Sequence, residues 1–204
     1  MAQELFDIDS VDSLVRQVWA QRKTISLDQF EMPTYEIPDS YTIKEFNFSS
    51  EDNIYRKEIK CALDDIANKS MAAGYPISVF TALYEAVLNA HQHGNKKDSA
   101  KKVVIAYKID NETVEVGVID EVGELTPEFF PFVQRHREGL EPVLDFYKFS
   151  GREAQGPNLG TGTSFMHMYA DNVQYFKSSE SGLVAHLTFQ REKDLSGNQS
   201  KNIN

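Results

Sequence analysis

Apolar residues recur along this 204-residue chain in two rhythms, and the switches between them mark its elements. Val11, Leu14, Val15, Val18 and Trp19 share one face of a helix, with Asp9 or Ser10 placed to cap it, so residues 10 to 22 are predicted as an amphipathic helix. Pro33 and Pro38 remove backbone donors and bias their predecessors to extended geometry. Met32 to Ser40 therefore reads as a linker, with the main domain beginning near Tyr41. TIKEFNFS then reads as a strand, and Ser49 to Asp52 as a capping-box-like start for a helix whose buried stripe is Ile59, Ala62, Leu63, Ile66 and Ala67. Beyond Pro76, the run from Ile77 to His93 is apolar nearly all round before Gly94 ends it, which predicts a buried helix.

VVIAYKID and ETVEVGVID follow as two β-rich runs, read as a hairpin whose second strand ends at Asp120. Periodicity then fades from Leu125 to Leu159, a stretch interrupted by Pro127, Pro131, Pro142 and Pro157 and expected to be a long loop with one short helix around Glu141 to Tyr147. The aromatic run Phe129, Phe130 and Phe132 within it is expected to fold against the core. Gly160 introduces TSFMHMYADNV, read as a helix, and VQYFKSS with LVAHLTFQ reads as a closing hairpin across residues 179 to 182. The polar tail, residues 191–204, is expected to be disordered.

Charge narrows the range of functions. A formal net charge of −10 argues against broad phosphate-backbone binding, so no nucleic-acid partner is expected. Nine acidic against four basic residues in the first fifty set residues 1–40 apart as an acidic N-terminal extension. Its Trp19 helix is a candidate dimerisation or docking element, although such helices usually cover their own domain. One cysteine, Cys61, suits a reducing compartment, and neither a leader pattern nor a run of about eighteen apolar residues appears, so a cytoplasmic protein off the membrane is expected.

Three features carry chemistry. Glu85 and Asn89 lie one turn apart on the apolar helix, and a carboxylate and an amide at the margin of a core need a cation, water or hydroxyl to satisfy them; tying down a neighbouring loop is the plainer alternative. Asp120 leaves its strand just before a turn containing Gly123, where it can accept from an exocyclic amine or simply serve the turn. Gly160 and Gly162 precede a helix whose first amides suit phosphate, though a hinge would explain them equally. His91 and His93, two apart on a helix, point in different directions and do not read as a zinc pair.

In this order the segments EAVLNAHQHGN, VIDEVGE and GTGTSFMHMYADNV resemble the N box, the D-x-G-x-G box and the G2 box of the GHKL ATPases. The spacing of Glu85, Asn89, His93 and Gly94 is similar to that of the bacterial anti-sigma-factor serine kinases. The resemblance spans roughly Tyr41 to Gln190 and implies an α+β fold of the Bergerat type: a two-layer sandwich, its mixed, mostly antiparallel sheet covered by helices on one face. A histidine-kinase-like ATP-binding domain is thus expected over residues 41–190.

The resemblance also implies roles. Glu85 would be the general base, Asn89 would offer its carbonyl oxygen to Mg2+, and Asp120 would take the adenine amine. His93 and Gly123 belong to the nucleotide boxes, backbone amides at Gly160, Gly162 and Thr163 would hold the ATP phosphates, and the loop from 125 to 159 would close as a lid, with Arg152 one of several basic residues within reach of the γ-phosphate. The chain departs from the pattern at Val122 and Glu124, where the family's box has glycines, and at Leu183, where a threonine often stands. The expected function is an ATP-dependent serine/threonine kinase that binds a sigma factor or similar client and phosphorylates an antagonist protein. The alternatives are a catalytically impaired protein-binding module on the same fold and the ATPase domain of a histidine-kinase-like regulator.

Overall fold

The computed structural model describes residues 25–27, 32–126, 128–137, 145–151, 153, 160–180 and 182–191. The helix expected over 10 to 22, Arg152 and the tail beyond Arg191 lie outside them. In chain order the elements are β1 (Ile25–Ser26), β2 (Thr34–Tyr35), β3 (Thr42–Asn47), α1 (Asp52–Ala72), α2 (Ser78–Asn89), a π-helical turn (Ala90–Gly94), β4 (Lys102–Ile109), β5 (Thr113–Ile119), β6 (Glu124–Leu125), α3 (Phe129–Arg137), α4 (Phe146–Ser150), α5 (Gly162–Tyr169), β7 (Asn172–Ser178) and β8 (Leu183–Gln190).

Six strands form one mixed sheet in the order β2-β7-β8-β5-β4-β3, antiparallel except for β2, which runs parallel to β7. Period-two patterning sets which side of each strand is buried: Val114, Val116 and Val118 of β5 turn inward, in register with Phe189, Leu187 and Ala185 of β8. Against them pack Val79, Leu83, Ala86 and Val87 of α2 and Ile59, Leu63 and Ile66 of α1. Each of these buried Val, Leu and Ile side chains contributes about 1.5–3 kcal/mol, and the result is the expected α+β sandwich.

Several local expectations change. Ser49 does not build a capping box with Asp52: its hydroxyl accepts from the Glu51 amide at 3.1 Å, its own amide donates to Glu58, and Asp52 is drawn away by Lys97 at 2.7 Å. The segment expected as a linker supplies β2, and Leu27 and Met32 are buried in the core, so residues on the N-terminal side of Tyr41 pack with the sheet. α3 forms inside the expected loop because Phe130, Phe132 and Val133 turn one face inward. α4 starts at Phe146 rather than near Glu141, since the Asp145 carboxylate accepts from the amides of Tyr147 and Lys148 and so fixes the first turn there. α5 stops at Tyr169, four residues before Val173, because Ala170 is extended and leads into β7.

The helix carrying Glu85 and Asn89 changes pitch at its end. From Ala90 to Gly94 it widens into a π turn, closed by the Asn95 amide on the Ala90 carbonyl at 2.7 Å. His91 is thereby fully buried beside Tyr55 and Phe48, with Nε2 at 2.9 Å from the Ser49 carbonyl, while His93 turns to the opposite side.

Candidate functional site

A cleft of about 770 Å³ opens between α2 with its π turn, the end of β5, the segment 124–126, α4 and the start of α5. Glu85, Asn89, His93 and Asp120 all stand on its walls, as do Gly160, Gly162 and Thr163. The sequence separates these groups by up to 78 positions, from Glu85 to Thr163. Gly123 is not on the wall: its carbonyl turns the other way and accepts from the Leu27 amide at 2.7 Å.

Glu85 and Asn89 face the first turn of α5. A β-carbon on Gly162 would lie 2.5 Å from Glu85 Oε2 and 3.6 Å from Asn89 Oδ1, so a larger residue there would push the Glu85 carboxylate aside while leaving Asn89 in ordinary contact. Burial raises the Glu85 pKa, and the charge of Arg56, on α1 at the same wall, works against that rise. The Asn89 amide nitrogen donates to Met166 Sδ at 3.5 Å, which presents Oδ1 to the gap before Gly162. A neutral amide oxygen in that place suits a hard cation completed by phosphate and water oxygens. Among the described residues there is no group of three or more His, Cys, Asp or Glu that could hold a metal by itself.

Asp120 sits at the far end. Its Oδ1 accepts from the amides of Leu183 at 2.9 Å and Val122 at 3.1 Å, and its backbone amide donates to the Leu183 carbonyl at 3.1 Å. Burial outweighs those two amides and pushes its carboxyl up to about 7. His93 is exposed on the cleft side, and partial desolvation by the surrounding walls, with the Lys97 charge, depresses its pKa.

Gly160 supplies the loop before α5. Its φ of +70° and the 2.8 Å that would separate an added β-carbon from the Tyr147 ring both require glycine, and its carbonyl accepts from the Phe146 amide at 2.8 Å. α4 is thus tied to the glycine loop, with Phe146 and Tyr147 on the cleft wall.

Sequence reasoning missed three supporting groups, and the spatial demand on a fourth, Gly94. Arg56 gave no signal beyond being a helix cation. Asn95 is fully buried and bridges the Glu121 amide and the Lys102 carbonyl, at 2.9 and 2.7 Å; its place directly after HisGly was the available clue. Gly94 reads in the sequence as a helix end within the N-box spacing, and a β-carbon there would fall 2.1 Å from Asp120 Oδ2. Gly182 reads in the sequence as a turn residue, and a β-carbon there would fall 1.7 Å from the Asp120 carbonyl oxygen. Gly182→Ala is therefore expected to cost about 2–4 kcal/mol, because β5 and the turn before β8 must separate, and urea denaturation against wild type measures it.

Among the described residues no helix is long and apolar enough to cross a membrane. No curated protein matches the chain. A family model, the histidine kinase-like ATPase domain, matches residues 56–189, which takes in every wall of the cleft just described. With the six-stranded mixed sheet, the buried aspartate and the glycine-led helix facing Glu85 and Asn89, the chain belongs to the histidine kinase-like ATPase domain family, the GHKL ATP-binding fold.

Proposed function

We propose that the protein is an ATP- and Mg2+-dependent serine/threonine kinase of the anti-sigma-factor type, which binds a sigma factor or similar client and phosphorylates an antagonist protein on serine. The observation that carries this reading is the approach of Glu85 Oε2 and Asn89 Oδ1 to the first turn of α5 at Gly162. A plain binding scaffold has no chemical need for a partly buried carboxylate aimed at a phosphate-suited helix start.

In this reading the adenine amine donates to Asp120, and the amides at Gly160, Gly162 and Thr163 hold the phosphates. Asn89 Oδ1 is the protein oxygen for the cation, which supplies charge neutralisation at the phosphates when bound. Glu85 accepts the proton of the incoming serine hydroxyl; the serine oxygen bonds to the γ-phosphorus as the bond to the ADP oxygen breaks. Phe146 and Tyr147, held at Gly160, exclude water from that end. The client and antagonist stay defined by chemistry alone: a protein surface and a serine able to enter the Glu85 end of the cleft.

One observation favours a second reading. Val122 and Glu124 replace the box glycines, and Glu124 is paired with Lys96 at 2.6 Å on the cleft wall, which suits a module that keeps the fold and a protein surface without the transfer. Incubation with γ-labelled ATP and antagonist proteins encoded nearby separates the two. Label on a protein serine is the expected result; label appearing only as free phosphate removes the kinase reading, and no binding of ATP, ADP or GTP by calorimetry selects the module.

A further inference from the structure

The wall at 124–126 contains Glu124, one of the two positions where the family's box has glycines, and residues 25–27 hold it from behind. β1 pairs antiparallel with β6, Ile25 opposite Leu125 and Ser26 opposite Glu124. The next residue, Leu27, donates its amide to the Gly123 carbonyl at 2.7 Å and buries its side chain in the main core at 1% exposure. On the other side Glu124 is tied to Lys96, whose backbone is in the left-handed region at φ +57°. Glu124, Leu125 and Thr126 all line the cleft. A two-residue strand cannot fix its own position in water, so the depth of this wall is set by what pairs with it.

We infer that Leu27, with β1, is a positioning residue for the base-facing wall of the nucleotide site, a strut drawn from the N-terminal segment at the place where the family pattern has glycines. The inference rests on the ATP-binding reading of the cleft. The Leu27 amide bond holds residue 123 from outside, and its buried side chain anchors that bond to the same core that carries α2. The base, entering on the Asp120 side, meets the inner surface of residues 124–126. Strut and ligand therefore bias one element, and by reciprocity whatever favours β1 on β6 favours the bound nucleotide to the same degree.

The test uses the full chain and ADP as the probe. Leu27→Ser is expected to weaken ADP binding about tenfold, equivalent to about 1.4 kcal/mol, with far-UV circular dichroism unchanged, and Leu27→Ile to restore wild-type affinity. Amide hydrogen exchange on the wild type gives a readout that survives any failure of the serine variant to fold: exchange at Leu27 is expected to slow when ADP saturates the site. A folded Leu27→Ser chain with wild-type ADP affinity, or Leu27 exchange indifferent to ADP, overturns the strut while leaving ATP binding intact. A wild-type chain that binds no adenine nucleotide overturns the ATP-binding reading and the strut with it.

Discussion

Asp120→Asn is expected to abolish measurable adenine-nucleotide binding, a loss of at least about a hundredfold, while making the fold more stable at pH 8. The first half follows from donor and acceptor matching. Asp120 Oδ1 is already engaged by Leu183 and Val122, so an asparagine keeping those bonds must turn its amide nitrogen toward the cleft. There it meets the adenine amine donor to donor, and a buried mismatch of that kind is worth about 3 kcal/mol. The second half follows from linkage. Burial raises the Asp120 pKa from 3.8 when free to about 7 in the fold. As pH rises from about 4 to about 7, the unfolded chain has released a proton that the folded chain still holds, so stability falls across that window and the cost persists above it. Asparagine removes the cost, a gain on the order of 1–4 kcal/mol at pH 8 that should vanish towards pH 4. Urea denaturation of both proteins at the two pH values checks the sign. Equal stability at pH 8 would contradict the burial argument, and retained ADP affinity would contradict the placement of the base.

Phosphoryl transfer by Glu85→Gln should fall by about 10²–10⁴-fold with ATP affinity within a few-fold of wild type. Glutamine keeps the shape beside Gly162, but its neutral amide cannot take up a proton as a carboxylate does. The pair of measurements matters, because a change that merely disturbed the contact between α2 and α5 would weaken binding as well. Labelled-ATP transfer and calorimetry on one preparation separate the cases; transfer at the wild-type rate would deny Glu85 the part of base.

The sequence made some of this legible. The hairpin of β4 and β5 declares itself through alternation, and Val114, Val116 and Val118 are where that alternation puts them. The apolar run of α2 announces a buried helix, and with it the oddity of Glu85 and Asn89. What stayed hidden has a common physical cause: short, distant or backbone-mediated contacts leave no periodic trace. β1 and β6 are two residues each and a hundred positions apart, so no pattern of side chains encodes their pairing. The need for glycine at 94 and 182 comes from Asp120, which neither residue neighbours in sequence. Arg56 acts on Glu85 across two helices, and a surface-facing cation on an amphipathic helix looks the same whatever lies opposite.

The π turn from Ala90 to Gly94 amounts to one residue more than an α-helix of the same height would contain, and that surplus rotates everything after it by about 100°. His91 becomes interior ballast against Ser49, and Gly94 arrives under Asp120 instead of beside it. Rewinding the same five residues as a regular α-helix, with none removed, would leave the hydrophobic seam upstream untouched, yet it would turn Gly94 away from Asp120 and bring a side chain toward the space the aspartate occupies. The Glu85 end and the Asp120 end of the cleft are thus phased by one surplus residue in the helix that joins them.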